Sequence, residues 1–322
     1  MRWLGRRRMY HPYFRGKQYE LATVREMAPL LAATDFHPVI EPVRSDLGGL
    51  RRALEAVAKA KGRATLIVNP QCGDLSESGK ALSDFFQKDL LGLPGISAGI
   101  LLAQGITADA AVQWYQAHAN HTPVFIHAGF TGAKSLAEKL GPPTKAQRHI
   151  FVDRFCGKLY QKHFTGAYRV LLRDGFRRTR NADYPPVEAF SDLHATFKDE
   201  GMDGFGDFLI VGDEYNEGGG PAYAVAIHLT FIDPDQDDAM QIYHFKSDSQ
   251  DTPTDPAGKF AEALAKMIDT LNMRGSKVLE TAAVAEFRAL HKQGHFPGLG
   301  YVKKLSMNHH IQTLARYFET AA

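Results

Sequence analysis

Two cysteines in 322 residues, Cys72 and Cys156, are too few for a disulfide framework, and they form no CxxC pair that would mark a thiolate zinc site. A reducing cytoplasm is the expected setting. Net charge is nearly absent as well. Lys and Arg total 38 against 36 Asp and Glu, so a formal charge of +2 gives no general electrostatic pull toward nucleic acid or an anionic membrane. No apolar run approaches the roughly 18 residues that span a bilayer, and the opening MRWLGRRR lacks the apolar core of a signal peptide. The expectation is therefore a protein inside the cell that makes no use of a membrane. Three catalytic signatures are missing too: HExxH, GxxxxGK[ST] and GxSxG do not occur, which disfavours zincin, P-loop and α/β-hydrolase chemistry.

What is present is a rhythm. From Met9 onward, short runs of Val, Ile, Leu and Phe alternate with longer amphipathic stretches, the pattern of βα units. Strands are predicted at 10–17, 37–43, 64–70, 97–103, 123–128, 148–153, 169–174 and 205–212. Helices fall between them, including one capped by Thr107 and one over 187–198. Eight repeats close a (β/α)8 TIM-like barrel, whose strands are buried on both faces and so read as continuous apolar runs. An open doubly wound sheet shares this local pattern, but no GxGxxG follows the first strand. After the eighth strand, alternating residues on either side of Asp233–Pro234–Asp235 predict an inserted β-hairpin within 222–246, and extra C-terminal helices follow. The expected organisation is a basic tail or misplaced start over 1–8, a barrel over 9–275 that includes the hairpin, and a helical extension over 276–322. His309 and His310 are expected at the surface.

In such a barrel, polar residues at the C-terminal ends of the strands converge on one mouth. Applied here, this rule gives Arg15, Lys17, Glu41, Asn69, Gln104, His127, Asp153, Arg173, Asp174, Asp213, Glu214 and Tyr215. Lys17, Glu41, His127, Asp153 and Asp213 are the candidates for catalysis, and Arg15, Asn69, Arg173 and Tyr215 for holding a ligand. Each has a structural alternative. Glu41, inside an apolar run, needs a cation, and Arg15 or Lys17 would make a structural ion pair. Asn69 before Pro70 suits an Asx turn, His127 a satisfied internal histidine, and Asp153 and Asp213 helix caps.

Two chemistries follow. The carboxylates with His127 would hold Mg²⁺ or another divalent cation and direct water at a phosphate ester. Alternatively, Arg15, Lys17 and Arg173 would clamp a small anion while Glu41 or His127 moves protons. Separately, Arg177, Arg178 and Arg180 cluster in a loop that would grip a nucleic-acid backbone, with a solvated basic loop as the alternative.

The segment YHPYFRGKQYE, followed one helix later by HPVIEPV, resembles the start of the Beta-protein family, uncharacterised bacterial and phage proteins. Tyr10, Pro12, Lys17, Glu20, Pro38 and Glu41 carry the resemblance, and LIVGDEY with the hairpin after it looks like that family's C-terminal half. The resemblance implies no reaction. It does imply a setting among mobile or phage-defence genes, sometimes beside a nuclease-like partner encoded nearby, and hence a second reading as a non-catalytic interaction partner.

Overall fold

The computed structural model describes residues 10–76, 79–90, 92–218 and 220–320, so the expected tail over 1–8 lies outside the described residues. The chain divides into two compact units, Met1–Asp174 with Thr196–Phe208, and Gly175–Ala195 with Leu209–Ala322.

The first unit is the barrel. Its strands are β1 (Tyr13–Phe14), β2 (Val39–Ile40), β3 (Ala64–Ile67), β4 (Ile96–Ala103), β5 (Val124–Ala128), β6 (Arg148–Val152) and β7 (Tyr168–Leu172). After β8 (Val187–Ser191), which belongs to the second unit, β9 (Gly204–Gly206) supplies the eighth. These eight pair in parallel in the order β1-β2-β3-β4-β5-β6-β7-β9. A parallel bridge between Tyr10 and Phe205 then brings the two ends of the sheet together, with the N–H of His11 donating to the Phe205 carbonyl at 2.8 Å. Gly206 makes this approach possible, because a Cβ there would stand 2.2 Å from the His11 carbonyl oxygen.

Inside the barrel, Tyr13, Val39, Ile67, Leu101, Val124, Ile126, Ile150, Val152, Val170, Leu172 and Phe208 form one buried cluster. The strands alternate in and out with period two, so this cluster fixes the inward register of each strand. Helices connect the strands, among them Gln18–Thr34, Gly48–Lys59 and Ala108–Ala117. The last has the predicted cap, with Thr107 Oγ1 accepting from the Ala110 N–H at 3.1 Å.

The second unit contains the expected hairpin as β10 (Ala226–Asp233) and β11 (Ala239–Lys246). Its third strand is β8, giving the order β10-β11-β8, all antiparallel. This corrects the prediction of a helix over 187–198: only Leu193–Thr196 is helical. The eighth barrel strand is likewise shorter than the predicted 205–212. One face of the small sheet, with Ile227, Leu229, Phe231 and Phe245, buries itself against Phe260, Leu264, Met267, Phe287 and Leu305 of the helices Pro256–Asn272, Ala282–Gln293 and Leu299–Thr320.

His309 and His310, expected at the surface, are fully buried. β10 is an edge strand, and His309 Nε2 donates to its Thr230 carbonyl at 2.8 Å while Thr281 Oγ1 lies 2.9 Å from Nδ1. His310 Nδ1 lies 3.0 Å from Thr230 Oγ1. His309 thus satisfies a carbonyl that a sheet edge would otherwise leave open, and His310 meets the buried hydroxyl of the same residue.

Candidate functional site

Continuing the inward register by two residues past the cluster puts Arg15, Glu41 and Asn69 on the inner face at the C-terminal ends of β1, β2 and β3. Glu41 is 0% exposed and could not persist there unpaired. It accepts from the Arg15 guanidinium, from the Tyr13 hydroxyl at 2.7 Å, and from the Gln71 backbone N–H at 2.8 Å. Arg15 is itself held from several sides. Its guanidinium lies 5.1 Å from the Tyr13 ring centroid and 5.8 Å from that of Phe208, and its backbone N–H donates to Glu20 at 2.5 Å. Cys72 Sγ is 3.9 Å from its Nη1. At 13% exposure the Arg15 side chain is nearly sealed yet still reaches the surface. The expected pairing of Glu41 with a basic neighbour on β1 is thereby realised through Arg15. Lys17 is half-buried at the start of the helix Gln18–Thr34.

Asn69 takes a role that neither expectation described. Its Nδ2 donates to the Leu101 carbonyl at 2.9 Å, and its Oδ1 accepts from the Leu101 N–H at 2.8 Å. The bond to β4 replaces the predicted Asx turn.

Asp153 and Arg173 meet on the opposite register, where Arg173 Nε donates to Asp153 at 2.6 Å and Nη2 to Glu200 at 3.2 Å. Lys158 also pairs with Glu200. Burial disfavours the charge on Arg173, but the two carboxylates outweigh it and raise its pKa, while Lys158 and Arg173 lower that of Glu200. Arg173 and Lys158 thus face Asp153 and Glu200.

His127 does not join the mouth. Val124 and Ile126 face inward, so His127 faces outward into the layer between sheet and helices, at 0% exposure, with Phe125, Phe151 and Phe164 around it. Its hydrogen bonds form a directed chain. His149 Nε2 lies 2.9 Å from the Thr144 carbonyl and must donate to it, which leaves His149 Nδ1 as an acceptor. His127 Nε2 therefore donates to His149 Nδ1 at 2.9 Å, and the Tyr160 hydroxyl donates to His127 Nδ1 at 2.6 Å. Burial holds both imidazoles neutral, His127 well below the usual histidine range and His149 at about 4. Cys156, bonded to the His127 carbonyl, is raised to about 12, chiefly by burial. The chain is closed at both ends, which makes it a structural fastening and removes the predicted base from the mouth.

Asp213 and Tyr215 belong to the second unit, Asp213 buried and Tyr215 half-buried. Gly212 before them has φ +80°, a backbone that favours glycine. In the same unit Arg177 and Arg180 stand 79% and 86% exposed, Arg180 bonded to Asp183 at 2.7 Å, and Arg178 donates to the Glu214 carbonyl at 3.2 Å. Among the described residues, no three His, Cys, Asp or Glu side chains gather as a metal ion would require.

No protein-family model matches the sequence, and a search of curated proteins finds no match.

Proposed function

We propose that the barrel unit binds a small anionic or phosphorylated ligand at the C-terminal ends of its strands, and that Arg15 grips it. The supporting observation is the setting of Arg15: a guanidinium fixed by Glu41 and two ring faces, still reaching the surface at the end of the barrel where this fold places its ligands. Glu41 and Asp153 each already hold a guanidinium, so a divalent cation would have to displace one of them. This favours binding over the metal-assisted hydrolase or lyase. The resemblance to the Beta-protein family fits the same centre, since Glu20 and Glu41, two of the residues that carry it, both bond Arg15. Titration with inorganic phosphate, followed by calorimetry, tests the reading. Saturable binding that disappears in Arg15→Met supports it; an identical response in the two proteins, or none at millimolar phosphate, overturns it.

The second reading is a non-catalytic partner in a two-gene phage-defence or mobile-element system, touching nucleic acid through Arg177, Arg178 and Arg180. The exposure of Arg177 and Arg180 favours it. It requires oligonucleotide binding that weakens with salt and weakens further in Arg177→Ala/Arg178→Ala.

A further inference from the structure

β10 and β11 set His228 opposite His244, and β8 brings Glu188 alongside, opposite Ile242. Glu188 Oε1 lies 3.1 Å from His244 Nε2, and His244 Nδ1 lies 2.7 Å from His228 Nδ1. The proton positions follow from what each group can do. An ionised carboxylate only accepts, so His244 carries its hydrogen on Nε2 and keeps a lone pair on Nδ1. His228 then donates from Nδ1, and the basic lone pair of the whole chain emerges on His228 Nε2. Among the described residues nothing hydrogen-bonds that atom, and His228 is half-buried, not sealed.

The histidines at 127, 149 and 309 do not share this property. The chain through His127 and His149 ends on Tyr160 and Thr144, and both nitrogens of His309 are engaged by Thr281 and Thr230. Rings also fix the orientation of the relay. Tyr184 stacks on His244 at 4.3 Å, and the Phe176 and Tyr184 rings meet His228 edge-on at 5.1 and 5.0 Å.

We propose that Glu188, His244 and His228 form a proton relay ending at the general base of a site that hydrolyses phosphate esters, with His228 Nε2 as the base. The charges around it select an anionic substrate: Lys303 acts on His228, Lys246 on His244, and Arg177 Nη1 stands 3.9 Å from Glu188. Burial first, then His244 and Lys303 on His228 and Lys246 on His244, keeps both imidazoles neutral, His244 at about 4, which leaves His228 Nε2 able to accept. In the step, a water proton moves to Nε2 as the water oxygen attacks phosphorus and the P–O ester bond breaks. The Nδ1 proton of His228 passes to His244 Nδ1, and the Nε2 proton of His244 passes to Glu188. The positive charge that this environment resists is thus discharged on a carboxylate; the departing alkoxide takes a proton from solvent, and the relay then runs in reverse, returning the proton of Glu188 to solvent through His228 Nε2. Glu188 and His244 are positioning residues; only His228 meets substrate.

The test uses the full chain with p-nitrophenyl phosphate and bis(p-nitrophenyl) phosphate. Nitrophenolate release should fall on the order of 100-fold in His228→Asn and on the order of ten-fold in Glu188→Gln. A second measurement needs no substrate: acylation by diethyl pyrocarbonate, mapped by mass spectrometry, should be faster at His228 than at His127, His149 or His309. It should slow in Glu188→Gln at His228 alone, leaving the exposed His291 and His295 unchanged. Absence of nitrophenolate release from both esters, wild-type turnover in His228→Asn, or an acylation rate at His228 indifferent to Glu188→Gln overturns the proposal.

Discussion

The side-chain amide of Asn69 stands in for the backbone N–H that Pro70 lacks. In the parallel ladder, the Val68 N–H donates to Gly99, and the next donor, to the Leu101 carbonyl, would come from residue 70. Asn69 Nδ2 makes that bond, and its Oδ1 takes the Leu101 N–H as well. Asn69→Ala should therefore orphan one donor and one acceptor on β4 and cost about 2–4 kcal/mol. Asn69→Asp can accept but not donate, and should fall short of wild type too. Urea unfolding of the three proteins reads the difference, and equal midpoints would remove Asn69 from the ladder.

The buried histidines make stability depend on pH with a definite sign. His149 and His309 sit at about 4 when folded, against an ordinary value of 6.5. Between those values the unfolded chain binds a proton that the native chain refuses, so stability rises with pH across this window and is complete above it. On acidification from pH 6.5 to 4 each should withdraw up to ~3 kcal/mol, with no further loss from these groups below the window. Urea midpoints at pH 7.5 and 4.5 check this, and a flat profile would mean that the native state accommodates the charged rings.

Arg15 and Glu41 should behave as a buried pair does. Removing one partner, as in Arg15→Met, leaves a fully buried carboxylate uncompensated and should cost about 3–5 kcal/mol. The double variant Arg15→Met/Glu41→Leu should be less damaged than Arg15→Met alone. A double-variant cycle measured by chemical unfolding checks this, and simple additivity would show that the two do not interact.

Two glycines should respond in opposite ways. A Cβ on Gly206 meets the His11 carbonyl oxygen at 2.2 Å where the barrel's ends join, so Gly206→Ala should destabilise by more than about 2 kcal/mol. Nothing lies within 4 Å of a Cβ on Gly157, whose φ of −66° suits alanine. Gly157→Ala should be neutral or stabilise by ~0.5 kcal/mol. Thermal unfolding of the pair reads both.

The barrel was legible in the sequence because a parallel strand buried on both faces must be apolar throughout, and β4 and β6 are read from their own residues alone. β8 was not. Val187, Phe190, Leu193 and Phe197 recur at helical spacing, and what makes the first two part of a strand is pairing with β11, more than 50 residues later. Glu41 was recognisable as a buried carboxylate in need of a cation. His127 misled because the strand-end rule names positions without their register, and the inward phase set by Val124 and Ile126 turns it to the other face. His228, His244 and Glu188 went unnoticed for a related reason: their chemistry exists only across three paired strands.

The two units are interleaved along the chain, since residues 175–195 belong to the second while 196–208 return to close the first. A ribosome releases this chain in order, so β8 emerges before the barrel's last strand and well before its own partner β11, which begins at Ala239. The barrel can therefore be sealed once Phe208 is free, while Val187–Ser191 waits as a strand with both edges open. During that interval this segment is a strand without its partner, a place where mispairing can begin.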